Sequence, residues 1–289
     1  MKRSILLILL FVPMFLTALV ACKHSTDAQP AVCRLISTTD QLIEANGRLT
    51  DEMQRTFTYN NALLTSVAER STNQEAGFLL ERANQRVVRA ANGATAMALA
   101  YESSATQPGS ATFTQANRVM STFTMVYNAA GRMTRIVESR SVLPGNSLTV
   151  ARDFTFTYDD AGNLTTEQTR STLIDGTMVA QQTEYTPGAN PSPYTQFSER
   201  ALLTVVALSQ GVETRPGRFW HLNAPLAQKS YVLTSSGTRG NLRDSSTFAP
   251  VYDATNKLVN QAQQAYLFQL SDPTPVTKRN KQTYEYQCD

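Results

Sequence analysis

Asp153–Thr165 reads DFTFTYDDAGNLT, and this stretch decides the fold. Phe154 and Phe156 alternate with threonines, which is the period of a strand that buries one face. The polar run that follows contains Gly162, a residue free to adopt the positive φ of a tight turn. A second strand-like run then starts at Leu164. The stretch therefore predicts a strand, a short reversal and an antiparallel partner strand.

The same device recurs along the chain. In each copy a tyrosine leads into a polar turn, and a new strand-like run follows. The copies read FTYNNALLTSV from Phe57, MVYNAAGRMTRI from Met125, FTYDDAGNLTTE from Phe156 and PVYDATNKLVNQ from Pro250. The turn positions that we single out are Tyr127, Gly131, Tyr158, Asp159, Gly162, Tyr252 and Asp253. Their uneven spacing argues against a strict solenoid and favours a long antiparallel meander whose hairpins share one kind of turn.

Alternating runs of this kind fill most of the chain, which predicts a mainly β protein. We expect the meander to form a strongly curved sheet or a soluble β-barrel, filled by Phe, Tyr, Leu and Val. A barrel embedded in lipid needs a continuous apolar outer band, whereas these strands carry charges on mixed faces. The charged residues are Arg135, Glu138, Arg152, Asp153, Glu167 and Glu184. One short helix is predicted near 198–209, with Ser198 as its cap.

The N-terminus has the features of an export signal. Lys2 and Arg3 precede an apolar run, Ile5–Val20, that a proline interrupts. The run leads into Leu-Val-Ala-Cys, which resembles the lipobox of bacterial lipoproteins. This resemblance implies cleavage before Cys22 and acylation of that cysteine, and several acyl chains would hold the protein durably on a membrane. The alternative is an ordinary signal peptide followed by a chance cysteine.

The chain therefore divides into three parts. We predict a signal peptide at 1–21, a polar tether after the lipidated cysteine at 22–32, and a single all-β domain with the tyrosine-led hairpins at 33–289. Removing the signal peptide takes two of the 26 basic residues and leaves 24 against 23 acidic ones, so the mature protein is nearly neutral. No cluster of lysines and arginines is present, which argues against nucleic acid as a partner.

Two further cysteines, Cys33 and Cys288, lie at the two ends of the predicted domain. In an exported protein we expect these thiols to form a disulfide that ties the last strand to the first segment. Closing so long a loop contributes roughly 5 kcal/mol in the chain-entropy model. Two buried free thiols are the alternative. A metal site is disfavoured because two cysteines do not complete a zinc shell.

Side chains that could carry catalysis are few. After the signal peptide the only histidines are His24 and His221, which excludes metal sites built on histidine clusters and most acid–base pairs that need histidine. No nucleophile-elbow, zinc-protease or phosphate-binding motif is present. Asp159 and Asp160 could be a carboxylate pair, but adjacent side chains at a strand end point to opposite sides, which favours a turn role. We therefore predict no catalytic residue, no metal and no cofactor.

The most unusual stretch is Arg218–His221, which reads RFWH beside an irregular, proline-containing segment. Phe219, Trp220 and His221 could form a platform on which a ligand such as a sugar stacks. The other interpretation is a tryptophan that closes one end of the β core, with a satisfied histidine beside it.

The copy at Tyr158 resembles the YD, or Rhs-type, repeat, whose core is Tyr-Asp, two variable residues, Gly, Arg or Asn, Leu and Thr. The copy at Tyr127 has Asn in place of the Asp, and the copy at Tyr252 has Asn256 in place of the Gly. The mature chain as a whole is similar to a Bacteroidota lipoprotein family of unknown function that is described as porin-like. The features that carry this resemblance are the lipobox, the cysteine-led first strand, the YD-like hairpins, the Asn190-Pro191 break and the final Tyr284, Tyr286 and Cys288. The resemblance implies a porin-like fold and no known activity.

Three functions remain in competition. The favoured one is a non-enzymatic lipoprotein of the bacterial cell envelope, held at the outer membrane by the lipid on Cys22, that binds a protein or glycan partner. The second is a hydrolase that acts on envelope or glycan material through Asp or Glu residues beside His221. The third is a purely structural envelope protein. Which face of the membrane the protein occupies stays open.

Overall fold

A computed structural model of the protein describes residues 32–72, 74–142, 147–173, 175–211, 213–268 and 274–288. The predicted signal peptide, Cys22 and all of the tether but its last residue lie outside the described residues. Sixteen strands make up most of the described chain. They are β1 (Cys33–Ile43), β2 (Leu49–Asn60), β3 (Leu63–Ser71), β4 (Gln74–Ala83), β5 (Arg86–Asn92), β6 (Thr95–Ala100), β7 (Ser110–Gln115), β8 (Arg118–Tyr127), β9 (Met133–Val142), β10 (Ser147–Tyr158), β11 (Leu164–Thr172), β12 (Met178–Pro191), β13 (Asn223–Leu233), β14 (Arg239–Tyr252), β15 (Leu258–Leu267) and β16 (Val276–Cys288).

The sheet closes into a barrel. Each strand pairs with its neighbours in sequence, and β1 pairs antiparallel with β16. Cys33 and Cys288 lie opposite each other in that pairing and form a disulfide, which confirms the predicted bond. Of the two architectures expected from the sequence, the protein adopts the closed barrel, with its first and last strands fastened by a covalent link.

Three of the tyrosine-led turns, those after Tyr127, Tyr158 and Tyr252, share one backbone geometry. At the central hairpin the Asp159 N–H donates to the Asn163 carbonyl at 3.0 Å, and the Gly162 N–H donates back to the Asp159 carbonyl at 2.9 Å. The same two hydrogen bonds close the turns at 128–132 and 253–257. Gly162 has φ +91°, and Asn256, which replaces the glycine in its copy, has φ +62°. Asparagine tolerates this left-handed conformation, so the departure from the repeat pattern leaves the turn unchanged.

These turns gather at one end of the barrel, here called the tyrosine end, because each follows an even-numbered strand of an antiparallel meander. There the tyrosine hydroxyls donate to backbone carbonyls of the preceding hairpin. The pairs are Tyr59 to Leu35 (3.0 Å), Tyr101 to Val87 (2.8 Å), Tyr127 to Pro108 (2.9 Å) and Tyr158 to Met133 (2.7 Å). Burial raises the pKa of all four phenols, which therefore stay protonated as donors. Tyr101 was not singled out by the sequence because no turn motif follows it.

The alternation along β10 separates an inner face from an outer face. On β10, Phe154 and Phe156 are buried in the common core, whereas Thr155 and Thr157 are exposed. The six charged residues named in the sequence analysis divide between the outer surface and the lumen. Arg135, Asp153 and Glu184 lie on the outer surface, where the Arg135 guanidinium makes two hydrogen bonds to Asp153 at 2.9 and 2.7 Å. Glu138, Arg152 and Glu167 point into the barrel.

One α-helix, α1 (Arg200–Ser209), is present in the described residues and agrees with the helix predicted near 198–209. Its predicted cap was wrong, because the cap position is Glu199 and makes no side-chain capping bond, while the Ser198 hydroxyl bonds to the Glu199 carboxylate instead. Two short 3-10 turns, Pro193–Gln196 and Pro216–Phe219, lie on either side of α1. Within the described part of the chain, no helix has the length and hydropathy that crossing a membrane requires.

Candidate functional site

The connection between β12 and β13 fills the barrel. This connection, residues 192–211 and 213–222, is called the plug. Its contacts reach strands on many sides of the barrel: Glu199 with Arg82 of β4, the Leu208 carbonyl with Arg152 of β10, Arg215 with Asp244 of β14, and Arg218 with Asp40 of β1. Because no position outside the barrel could reach all of these strands, the plug lies in the lumen. It enters from the tyrosine end, where β12 ends.

Helix α1 is buried on all sides, which is the pattern of a helix enclosed by protein. Its residues from Ala201 to Leu208 are all buried, so the adjacent Val205 and Val206 gain packing that outweighs their poor helix propensity. The one polar side chain in this run, Thr204, donates to the Arg200 carbonyl at 2.8 Å and accepts the Trp220 indole N–H at 2.9 Å.

The predicted aromatic platform is mostly inaccessible. Phe219 and Trp220 are each 1% exposed. The Trp220 ring lies 6.1 Å from the Tyr127 ring, and the Arg200 guanidinium lies 4.9 Å from its centroid. Trp220 therefore packs as part of the plug and leaves no open face for a ligand. His221 differs, because it lines a cavity and packs edge-on against Tyr185 with 4.6 Å between ring centroids.

The two sides of the lumen have different chemistry. The apolar wall consists of the large apolar side chains that point inward from β3 to β10, which are Val67, Phe78, Val87, Met97, Phe113, Phe123, Met125, Ile136, Phe154 and Phe156. The charged residues Glu69, Glu138 and Arg152 point inward among them. The polar wall consists of the polar side chains that point inward from β12 to β16, which are Thr183, Gln228, Ser230, Asp244, Ser246, Gln261, Gln263, Asn280 and Gln282. The aromatic residues Tyr185, Phe248 and Tyr284 point inward among them. Hydrogen bonds run between strands of the polar wall, as from Asn280 to Gln263 at 3.1 Å and from Gln263 to Ser246 at 3.0 Å.

A cavity of about 170 Å³ lies between the plug and the polar wall. Four glutamines line it from the barrel side: Gln228, Gln261, Gln263 and Gln282. The aromatic residues Tyr185, Tyr194, Phe248 and Tyr284 also line it, together with the plug residues Glu213, Arg215, Arg218 and His221. Phe248, Gln263 and Gln282 are only half-buried, so this part of the lining is open to solvent.

The charged groups beside the cavity are paired. An Arg215 guanidinium nitrogen lies 2.7 and 2.6 Å from the two carboxylate oxygens of Asp244. Arg218 lies 3.4 Å from Asp40 and 3.2 Å from Glu213. Behind them a buried arginine, Arg55, bonds to Glu69 at 2.5 Å and lies 3.9 Å from Glu213. These ion pairs leave the cavity wall close to neutral. Buried ions need such partners, because an unpaired charge in the interior is costly.

Glu167 is a buried carboxyl between β11 and the plug. It is 1% exposed and accepts a hydrogen bond from the Tyr185 hydroxyl at 2.9 Å. Burial raises its pKa to about 8, although the Tyr185 hydrogen bond acts in the opposite direction. A side chain at Gly217 would collide with this carboxyl, so the close approach of the plug requires glycine there. Glu167 holds the plug and does not line the cavity.

His221 is a neutral imidazole. Burial, followed by the nearby positive charge of Arg218, lowers its pKa to about 3. Among the described residues no carboxylate forms an ion pair with it, and its Nδ1 atom has no hydrogen-bond partner. In the same part of the chain, no group of three or more His, Cys, Asp or Glu side chains is arranged to hold a metal ion.

Sequence reasoning found His221 but missed the residues around it. Tyr194 and the four glutamines carry no motif, and each is an ordinary polar or aromatic residue in a strand or loop. The only sequence signal is positional, since Gln261 and Gln263 share one face of β15 and face inward where earlier strands have large apolar residues.

Comparison with solved structures finds the same type of fold in a porin-like protein from Bacteroides uniformis. It shares 14% identity and has a TM-score of 0.55, and the match covers 90% of this chain and 98% of that one. A porin-like protein from Bacteroides vulgatus matches 88% of this chain and 99% of its own, at 9% identity and a TM-score of 0.40. No protein-family model matches the chain. No curated protein is similar to it in sequence. The first likeness shows the fold alone.

Proposed function

We propose that this protein is a non-enzymatic binding module of a bacterial envelope, tethered to the outer membrane through a lipid on Cys22, with its barrel in water. The observation that carries the proposal is the distribution of polarity, together with the filled lumen. A barrel that spans a bilayer has an apolar outer band and a polar interior. This barrel instead buries its phenylalanines around the plug, and its outer surface carries ion pairs and polar side chains between scattered aliphatic residues.

The outer surface supports a barrel that lies in water. Threonines cover the outside of the central hairpin, and ion pairs such as Arg135–Asp153 and Arg239–Glu184 lie among them. Placing such charges against hydrocarbon would cost about 2 to 4 kcal/mol for each basic residue at mid-membrane. Attachment therefore rests on the lipobox-like sequence, and the name porin-like belongs to the structural neighbours and not to this chain.

The filled lumen supports binding rather than conduction. The plug contacts strands on many sides, and its buried helix occupies the space through which a pore would conduct. A cavity with polar walls remains beside it, which is the kind of place where small-molecule sites form. This cavity also favours a binding role over a purely structural envelope protein, which would need no internal polar surface.

The arrangement does not favour the hydrolase alternative. A histidine that acts as a base or acid needs a pKa near the working pH and usually a carboxylate partner. His221, with a pKa of about 3, remains neutral in that range. Glu167 has the raised pKa that marks many catalytic acids, but it is buried against Tyr185 and Gly217 and does not line the cavity.

Membrane attachment and pore formation can be tested together. We expect the wild-type protein, expressed with its signal peptide in a Gram-negative host, to partition into the detergent phase, and the chain from residue 22 with Cys22→Ser, produced without residues 1–21, to partition into the aqueous phase. The aqueous Cys22→Ser protein should be monodisperse without detergent and should open no channels in planar bilayers. A Cys22→Ser protein that stays in the detergent phase and conducts ions would contradict the proposal.

A further inference from the structure

The binding role proposed above does not identify the ligand, but the lining of the cavity limits which ligands fit. We infer that the cavity between the plug and the polar wall binds one uncharged, polyhydroxylated ring of about monosaccharide size. This inference rests on the proposed function and adds the substrate class and the residues that recognise it. Four observations carry it: two unpartnered polar atoms, a set of amides, a set of aromatic rings and paired charges.

Two buried polar atoms in the cavity lining have no hydrogen-bond partner among the residues that the structure describes. They are the Tyr194 hydroxyl and His221 Nδ1, which belong to residues that are 2% and 3% exposed. Leaving such a group unsatisfied costs about 1 to 3 kcal/mol, and native proteins rarely tolerate it without a reason. Because the His221 ring is neutral, a free Nδ1 is an acceptor when the proton lies on Nε2, and a phenol can donate or accept. Both atoms suit a hydroxyl of a bound molecule.

The polar wall supplies further groups of the same kind. Gln228, Gln261, Gln263 and Gln282 each offer an amide that donates two hydrogen bonds and accepts others. A hydroxyl group also donates and accepts, so several vicinal hydroxyls can satisfy several amides at once. The Gln263 and Gln282 oxygens already accept hydrogen bonds from Asn280 and from the Tyr284 hydroxyl. Carboxylates or phosphates can only accept, so they could pair with the amide N–H groups but not with the oxygens of Gln228 and Gln261.

Aromatic side chains complete the lining. Tyr185, Tyr194, Phe248 and Tyr284 present apolar surface beside the amides. A sugar ring has hydroxyls at its edge and C–H groups on its faces, so it matches a lining that alternates amide and aromatic surface. An unhydroxylated apolar ring would leave the amides unpaired.

Charge and size restrict the ligand further. The arginines on the cavity wall are already engaged, Arg215 by Asp244 and Arg218 by Asp40 and Glu213. An anion would have to displace one of these carboxylates. The volume of about 170 Å³ lies below the roughly 300 Å³ at which pockets for drug-sized ligands begin. A single neutral ring is therefore favoured over a charged sugar or an oligosaccharide.

The experiment uses the mature chain with Cys22→Ser and measures binding by saturation-transfer NMR and isothermal titration calorimetry. The neutral probes are glucose, galactose, mannose and N-acetylglucosamine, and the charged comparators are glucuronic acid and glucosamine. We expect at least one neutral sugar to bind and its charged counterparts to bind at least tenfold more weakly. The proposal is overturned if no neutral sugar binds at millimolar concentration or if a charged comparator binds as tightly.

Two tyrosine variants localise the site. Tyr194→Phe removes only the unpartnered hydroxyl, so we expect binding to weaken at least tenfold while the melting temperature stays the same or rises. Tyr158→Phe is the matched control, because it deletes a hydroxyl that bonds to the Met133 carbonyl away from the cavity lining. It should bind the sugar as wild type does. Unchanged binding by a folded Tyr194→Phe protein would overturn the assignment and would mean that water satisfies this hydroxyl.

A second pair keeps the test decisive if Tyr194→Phe does not fold. Gln261→Leu removes one amide of the lining, and Gln264→Leu makes the same change at an exposed position of the same strand. Only the first should lose binding, and equal binding by both would reject the site. Failure of these sugar experiments leaves the detergent-partition and bilayer results untouched, so it would remove the ligand assignment without removing the tethered, non-conducting barrel.

Discussion

The two walls of the lumen differ in what they do for the protein. The apolar wall packs against helix α1 and buries large side chains such as Phe123 and Phe154, each no more than 1% exposed. The polar wall faces the same plug across a cavity and is built from amides, hydroxyls and Asp244. The lumen of one closed sheet therefore has a tightly packed half and a half that contains a cavity.

Under the binding role proposed above, this difference assigns stability and recognition to separate walls. Burying apolar surface is the main source of folding free energy, so the apolar wall and α1 account for most of the stability of the closed barrel. Polar groups around a cavity contribute little to it, and well-packed apolar side chains would serve as well or better. A protein that needed only a filled barrel would have no reason to keep the polar wall, and the predictions below follow from that contrast.

The largest expected effect is on the apolar wall. Phe154→Ala removes a fully buried ring from the contact between β10 and the lumen core, and it leaves a cavity that the surrounding barrel cannot collapse. We expect a loss of about 3 to 5 kcal/mol in the free energy of unfolding, measured by urea denaturation. The matched control is Thr155→Ala on the outer face of the same strand, which should change it by no more than about 0.5 kcal/mol. Similar losses in both variants would mean that the two faces of β10 are not distinct.

The second prediction concerns Glu167, where the plug meets β11. The folded-state pKa of about 8 lies above the ordinary value of 4.5, so the folded protein holds a proton that the unfolded chain releases between these pH values. The contribution of this group to stability is therefore fully present below pH 4.5 and is lost as the pH rises through 8. Glu167→Gln keeps the neutral shape at every pH, and at pH 9 we expect it to be more stable than wild type by roughly 5 kcal/mol.

The measurement is a series of urea titrations of both proteins between pH 7 and pH 9. His221 does not interfere, because its lowered pKa affects stability only between its folded value of about 3 and the ordinary value of 6.5. Wild type should lose stability across this window, and the variant should not. Parallel pH profiles for the two proteins would show that the Glu167 carboxyl is not held neutral by burial.

Much of the fold could be predicted from the sequence because its signals are local. A strand that alternates Phe and Thr and a polar turn with Gly162 each depend on a few neighbouring residues. Closure of the barrel and the position of the plug depend instead on contacts between residues that are far apart. The sequence predicted the helix at 198–209, but an all-round apolar helix can be buried against many surfaces, and nothing local places it in the lumen.

The candidate site was harder to predict for a related reason. Alternation separates inward from outward residues only where one face is apolar, as on β10. On β15 the run Asn260, Gln261, Ala262, Gln263, Gln264 is polar on both faces, so the sequence does not show which side lines the lumen. Trp220 drew attention because it is the only tryptophan, yet its size suits it to packing, and it is 1% exposed.

A smaller effect is expected at the tyrosine end. Tyr158→Phe deletes a donor to the Met133 carbonyl and leaves that carbonyl with one partner fewer. We expect a loss of about 1 kcal/mol in the free energy of unfolding, seen as a lower urea midpoint at constant slope. Tyr194→Phe, whose hydroxyl has no partner, should show no loss. Equal losses in the two variants would show that the Tyr194 hydroxyl makes a hydrogen bond in solution. The contrast between the two walls would then be weaker, because the hydroxyl would contribute to stability.

The smallest change is expected on the polar wall itself. Gln261→Leu replaces a buried amide by an apolar side chain of similar length, and the adjoining cavity can take up the difference in shape. We expect the free energy of unfolding to change by less than about 1 kcal/mol, in urea titrations beside Gln264→Leu on the outer face. A loss near that of Phe154→Ala would mean that the amides of the polar wall support the fold as the phenylalanines do. A small change would show instead that the fold does not require the amide of Gln261. The hydrogen-bonding groups of the polar wall are then available for a ligand.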